Sequence, residues 1–180
     1  MSKIIVIDLE STCWKDAPPA GQKSEIIEIG ICVLDTADGK ITLNQGLLIK
    51  PENSEVSPFC TELTSLTTEL LEKEGVTFTE ACKILKNEYQ ANDLPWASYG
   101  NYDKNMMTNQ CKSRSIVYPL SEDHINVKTE FSIHFKTKAK GMARALNQLN
   151  IELEGTHHRG KDDAKNIAKI LFKIHNKNKA

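Results

Sequence analysis

Ile4-Ile5-Val6-Ile7-Asp8-Leu9-Glu10-Ser11-Thr12 decides the fold. It is a β-branched apolar run that closes on two acids, Asp8 and Glu10. Side chains two apart in a strand point to the same face, so both carboxylates aim at one point. Unpaired acids at the end of a buried strand are costly and call for a positive partner. A hard divalent cation suits them, because Mg²⁺ is held by a few carboxylate oxygens together with substrate phosphates.

Working outward, the first strand reads as Lys3 to Leu9. Ile26 to Leu34 and Ile41 to Ile49 are apolar and β-branched, with Asp38-Gly39 between them. Asp-Gly between two such runs marks a hairpin, so the first three strands predict an antiparallel meander. Pro51 and Pro58 bracket a loop, and helical signals begin near Ser65. Thr77 and Glu80 form a capping box for a helix through about Tyr89. Leu94 to Tyr99 reads as a fourth strand, and Asp103 opens a helix carrying Met106 and Met107. A fifth strand is expected within Ile116 to Val127. Helices are expected at roughly Lys140–Leu149 and Asp162–His175. Three strands followed by strand–helix alternation predict an α/β fold, a mixed five-stranded sheet flanked by helices.

At 180 residues the chain is expected to form one domain, residues 1–180. It has no apolar run long enough to cross a bilayer and no signal-peptide pattern. The five cysteines are widely spaced and include no C-x-x-C pair. That argues against a disulfide framework or structural zinc and predicts a reducing, cytoplasmic location. The net charge of −1 hides a split. Residues 1–103 hold 8 Lys/Arg against 17 Asp/Glu, and residues 104–180 hold 15 against 7. An acidic site beside a basic surface fits an enzyme acting on a polyanion, and uneven solvated surfaces give the same pattern.

Three residues join Asp8 and Glu10. Asp103 follows the fourth strand, where ligands collect at strand ends; a lone Asp there also serves as a helix cap. In the last helix Asp162 shares the wet face of Asn166, Lys169 and Lys173. Asp163 shares the face of Ile167, Ile170 and Ile174, so it points at the strand ends. First-turn acids also favour the helix dipole. His158 lies on the loop before this helix and suits a general base, since imidazole titrates near neutrality. His157 is a competitor.

Asp-x-Glu, a mid-chain Asp, and His followed five positions later by Asp resemble the signature of the DEDDh 3′-to-5′ exonucleases. These are the DnaQ-like branch of the ribonuclease H-like fold. Asp8, Glu10, Asp103, His158 and Asp163 fill every position in order. Within the family the chain is similar to the branch of the histone-mRNA 3′-end exonuclease and its bacterial relatives. Asp8-Leu9-Glu10-Ser11-Thr12-Cys13, Glu25-Ile26-Ile27-Glu28-Ile29-Gly30, Pro58-Phe59-Cys60-Thr61-Glu62-Leu63-Thr64 and His157 to Ala168 carry that likeness.

The resemblance implies a metal-dependent hydrolase that removes nucleoside 5′-monophosphates from single-stranded RNA or DNA 3′ ends. It implies two Mg²⁺ or Mn²⁺ ions held by Asp8, Glu10, Asp103 and Asp163, with His158 as general base. Leu9, Phe59, Cys60 and Leu63 would surround the terminal base, and Ser11 and Thr12 would contact its sugar. Lys128, Lys136, Lys138, Lys140 and Arg144 form a basic stretch that could follow the phosphate backbone or simply face solvent. Two alternatives stand beside this reading. One is a non-catalytic regulatory module on the same fold; the other is an oligoribonuclease-like enzyme for very short strands.

Overall fold

Alternation along the first strand sorts the whole core. In the computed structural model, which describes residues 2–177 apart from the side chain of Lys177, β1 runs Lys3–Ser11. Its odd residues Ile5, Ile7 and Leu9 pack with Phe78, Ala81, Leu85 and Met107 on one side of the sheet. Val6 faces the other side with Val127, Phe131, Leu146, Ile167 and Ile170. Asp8 and Glu10 follow Val6 in this period of two. They therefore end on the side covered by the last helix.

β2 (Ile26–Asp35) and β3 (Ile41–Leu48) complete the antiparallel meander, joined by the expected turn with Gly39 at φ 82°. The β1–β2 register sets Gly30 opposite Asp8 and Glu28 opposite Glu10. β4 (Trp96–Ser98) and β5 (His124–Asn126) add in parallel, giving the order β3-β2-β1-β4-β5. β4 starts later than expected, after Pro95, which has no N–H for a ladder. The Pro95 carbonyl instead accepts from Ile5 N.

The helices correct several expectations. α1 (Pro58–Thr64) starts at the proline that closes the expected loop and ends before Ser65, where helical signals were expected to begin. Ser57 Oγ caps it by accepting from Cys60 N, Pro58 fits the first turn, and Ser65 ends it at φ 62° rather than beginning a helix. α2 (Thr68–Glu74) follows. α3 (Phe78–Asn87) has Thr77 as its cap, accepting from Glu80 N as predicted. α4 spans Tyr102–Ser113. α5 (Val127–His134) was not expected. It begins directly at the end of β5, where Asn126 accepts from Thr129 N. α6 is Met142–Gln148 and α7 is Gly160–Lys177, two residues earlier than read. No helix among the described residues is long and apolar enough to cross a membrane.

Candidate active site

The C-terminal end of β1, the start of α4 and the start of α7 meet around a cleft of about 430 Å³. Asp8, Leu9, Glu10, Ser11, Asp103, Asp163 and both histidines line it. A larger hollow of about 540 Å³ lies by Glu25 and Arg114. Its charges neutralise each other, because Arg114 bonds both Glu25 and Glu52. The unsatisfied charge sits in the smaller cleft.

Carboxylate oxygens of Asp8, Glu10 and Asp163 all lie within 4.8 Å of one another. Burial first, then the charges of Asp103, Asp163, Glu10 and Glu28, hold the Asp8 carboxyl well above the usual range. Burial and the same neighbours push Glu10 up to about 8, against a weaker pull from Arg159. Asp103 does not join the tight trio. It is buried, and its Oδ1 accepts from Leu9 N at 3.0 Å, which ties α4 to the end of β1. Burial raises its carboxyl and that hydrogen bond opposes the rise.

Asp163 is buried at the first turn of α7, on the inward stripe with Ile167, Ile170 and Ile174. Its Oδ2 accepts from His158 N at 2.9 Å and lies 2.9 Å from His157 Nδ1. Its Oδ1 is buried with no hydrogen-bond partner. Buried polar atoms almost always have partners, so this orphan acceptor beside two more carboxylates fits a hard cation. Three clustered carboxylate oxygens suit Mg²⁺ or Mn²⁺ rather than a softer metal.

His158 sits at φ 65°, a left-handed conformation that histidine adopts more readily than most residues. Its ring stacks on His157 with centroids 4.0 Å apart. Burial and His157 lower its pKa, which leaves a neutral imidazole able to take a proton. His157 is more exposed and reaches Asp163 directly.

β2 holds this loop in place. Glu28 is fully buried, and its Oε2 accepts from Gly160 N at 3.0 Å and from Arg159 Nε at 3.2 Å. The Gly160 carbonyl presses on Gly30 so closely that a Cβ on Gly30 would fall 1.8 Å from the Gly160 carbonyl carbon.

The expected base-pocket residues divide. Leu9, Ser11 and Leu63 line the cleft, whereas Thr12, Phe59 and Cys60 are not on its wall. Thr12 is fully buried and its Oγ1 accepts from Glu25 N. Cys60 is fully buried and its Sγ–H donates to Ser11 O. Phe59 is half-buried beside it. The sequence reading missed Tyr102, which lines the cleft, is 55% exposed and meets Ser11 Oγ at 2.7 Å. Its place one residue before Asp103 was the available signal. Tyr99, Cys13, Gly141 and Met142 were also missed on the wall.

The model of the exonuclease family RNase_T matches residues 5–171. The chain belongs to the RNase_T exonuclease family. ERI1 exoribonuclease 2 of Mus musculus is 27% identical over 95% of the chain, which spans 28% of that protein's length. Two solved structures are 26% identical and cover 96% of the chain. The nuclease domain of 3′hExo, described as a DEDDh family member bound to rAMP, aligns over 91% of its length with a TM-score of 0.85. A 3′-exonuclease recognising the 3′ end of a histone-mRNA stem-loop aligns over 81% with a TM-score of 0.83. These likenesses bear out the DEDDh resemblance and the ribonuclease H-like fold of this family member.

Proposed function

We propose that this exonuclease-family chain is a metal-dependent 3′-to-5′ exonuclease acting on RNA or single-stranded DNA ends. The observation that carries the reading is the orphaned Asp163 Oδ1 beside Asp8 and Glu10. Asp8, Glu10 and Asp163 would hold one Mg²⁺ or Mn²⁺ ion, and Asp8 with Asp103 would hold a second. When bound, such ions supply Lewis acidity at the phosphate and charge for the attacking and departing oxygens.

The chain's own groups do the remaining work. His158 takes the proton of the attacking water at its imidazole nitrogen, in keeping with its lowered pKa. Asp163 Oδ2 fixes the His158 backbone while Oδ1 stays free for a cation. Tyr102 offers an exposed ring, and Leu9 and Leu63 offer apolar walls; stacking of this kind tolerates any base. Ser11, hydrogen-bonded to Tyr102, stands beside them for the terminal sugar. Cleavage leaves a nucleoside 5′-monophosphate. A purely regulatory module has no use for this strained, like-charged cluster. Five free thiols accord with a reducing, cytoplasmic setting.

The test is a time course on 5′-labelled RNA and DNA oligonucleotides with and without Mg²⁺. A ladder losing one nucleotide at a time, silenced by EDTA and restored by Mg²⁺ or Mn²⁺, is expected. Intact oligonucleotides, or activity indifferent to chelation, would defeat the reading.

A further inference from the structure

The walls of the cleft belong to segments of opposite charge. Leu63 lies in α1, and residues 52–74 around it carry six Glu and one Lys. Gly141 and Met142 come from residues 131–151, which carry Lys136, Lys138, Lys140 and Arg144 and not one Asp or Glu.

Among the described residues, those four cations also lack the acidic partners that some other cations of the C-terminal half have. Arg114, Arg159, Lys165 and Lys169 each pair with a glutamate. Lys136, Lys138, Lys140 and Arg144 form no ion pair among the described residues; Lys140 Nζ donates to the neutral Gln148 amide oxygen at 2.5 Å. Lys136, Lys138 and Arg144 are exposed. Lys140 and Ala143, which bracket the wall residues, line a hollow of about 510 Å³ with Arg144, Asn147 and Gln148. The hydroxyl of Tyr99, itself on the cleft wall, donates to the Lys140 carbonyl at 2.9 Å. The basic segment is thus tied to the cleft at its middle, between Lys138 and Arg144.

We infer that Lys136, Lys138, Lys140 and Arg144 form a phosphate track, along which nucleotides upstream of the bound 3′ end leave the cleft. A strand leaving past Leu63 would run its phosphates along the glutamates. A strand leaving past Met142 runs toward cations with no acidic partner among the described residues, and surface charges in salt act over roughly 8–10 Å. Each cation that neutralises a phosphate releases a counterion, and affinity for a single strand then falls with log salt by about 0.7 per contact. The inference rests on the exonuclease reading for where the 3′ end sits. Its ligand is single-stranded nucleic acid backbone, independent of base.

The experiment is fluorescence anisotropy of a labelled single-stranded oligonucleotide in EDTA across a salt series. It compares wild type, the double variant Lys138→Gln/Arg144→Gln, and a control, Lys83→Gln/Lys86→Gln, on exposed positions of α3. Circular dichroism verifies that all three are folded. The track variant should bind about ten-fold more weakly, with a salt slope shallower by about 1.4, and the control should bind as wild type. Unchanged binding by the track variant, or an equal loss in the control, overturns the inference. Cleavage by the wild type is measured separately. Binding that depends on the track in a protein that cuts nothing would sink the exonuclease reading and leave the track standing. Cleavage with track-independent binding would do the reverse.

Discussion

Asp8, Glu10 and Asp163 bring carboxylate oxygens within 4.8 Å of each other, and like charges so close repel by roughly 3 kcal/mol per pair at an effective dielectric near 20. Replacing Asp8 by Asn keeps the shape and removes one charge. In metal-free buffer Asp8→Asn is therefore expected to melt several degrees above the wild type, since about 1 kcal/mol moves the Tm of a chain this size by roughly 2–4 °C. The same variant should lose cleavage. A thermal melt in EDTA and a labelled-oligonucleotide assay check both halves. A destabilised Asp8→Asn protein that still cleaves would show that the acid serves packing rather than a cation. At this scale the sequence was legible wherever geometry is local. Asp163 could be told from Asp162 because Ile167, Ile170 and Ile174 repeat with it at helical spacing, although the face expected to be wet buries Asn166 against the Glu154 backbone. Tyr102 could not be found that way, because an exposed aromatic at a helix start breaks no pattern.

Between β2 and α7 the contact is backbone on backbone. Gly30 faces Gly160, and Glu28 holds Gly160 N and Arg159 from below. A methyl at position 30 meets three backbone atoms of Gly160 and Lys161 inside 2.5 Å, which no side-chain rotamer can relieve. Gly30→Ala should therefore push out the first turn of α7, which carries Asp163 and follows His158. Overpacking of this kind costs about 1–3 kcal/mol or more. Chemical denaturation should show that loss together with a fall in cleavage; wild-type stability and activity would mean that α7 is not seated here. The elements the sequence revealed are those with a local chemical marker. Thr77 caps α3, Asp38-Gly39 turns the hairpin, and an apolar stripe at helical spacing, Ile167, Ile170 and Ile174, declares α7. The elements it hid lack such a marker. β4 and β5 are three residues each, too short to show a period of two. α5 starts on the residue after β5 with no linker between them, so one Asn ends a strand and caps a helix. α1 was masked because Pro58 reads equally as a loop and as a first helical turn.

Across the whole molecule, the core sheet spends stability to gather acids at one end, and pH tests how much. Glu10 rises from an ordinary 4.5 to about 8 in the folded protein, and Asp8 shifts the same way. The folded chain therefore holds these protons more tightly than the unfolded chain does. Their stabilising contribution is fully present below about pH 4.5 and drains away as pH rises through about 8. A divalent cation favours the ionised carboxylates, and a ligand that binds only the folded state stabilises it in proportion to that preference. Metal-free protein should thus lose thermal stability between about pH 5 and pH 8, with Mg²⁺ opposing the loss. The gap in Tm between Mg²⁺ and EDTA should be small near the acid end of that window and widest near the alkaline end. Subtracting the two curves at each pH removes every titrating group that the metal does not touch. Glu10→Gln should flatten the metal-free curve and narrow the gap. If the gap is the same at every pH, the ion binds somewhere other than this cluster of raised carboxyls, and the acids at the end of β1 have another purpose.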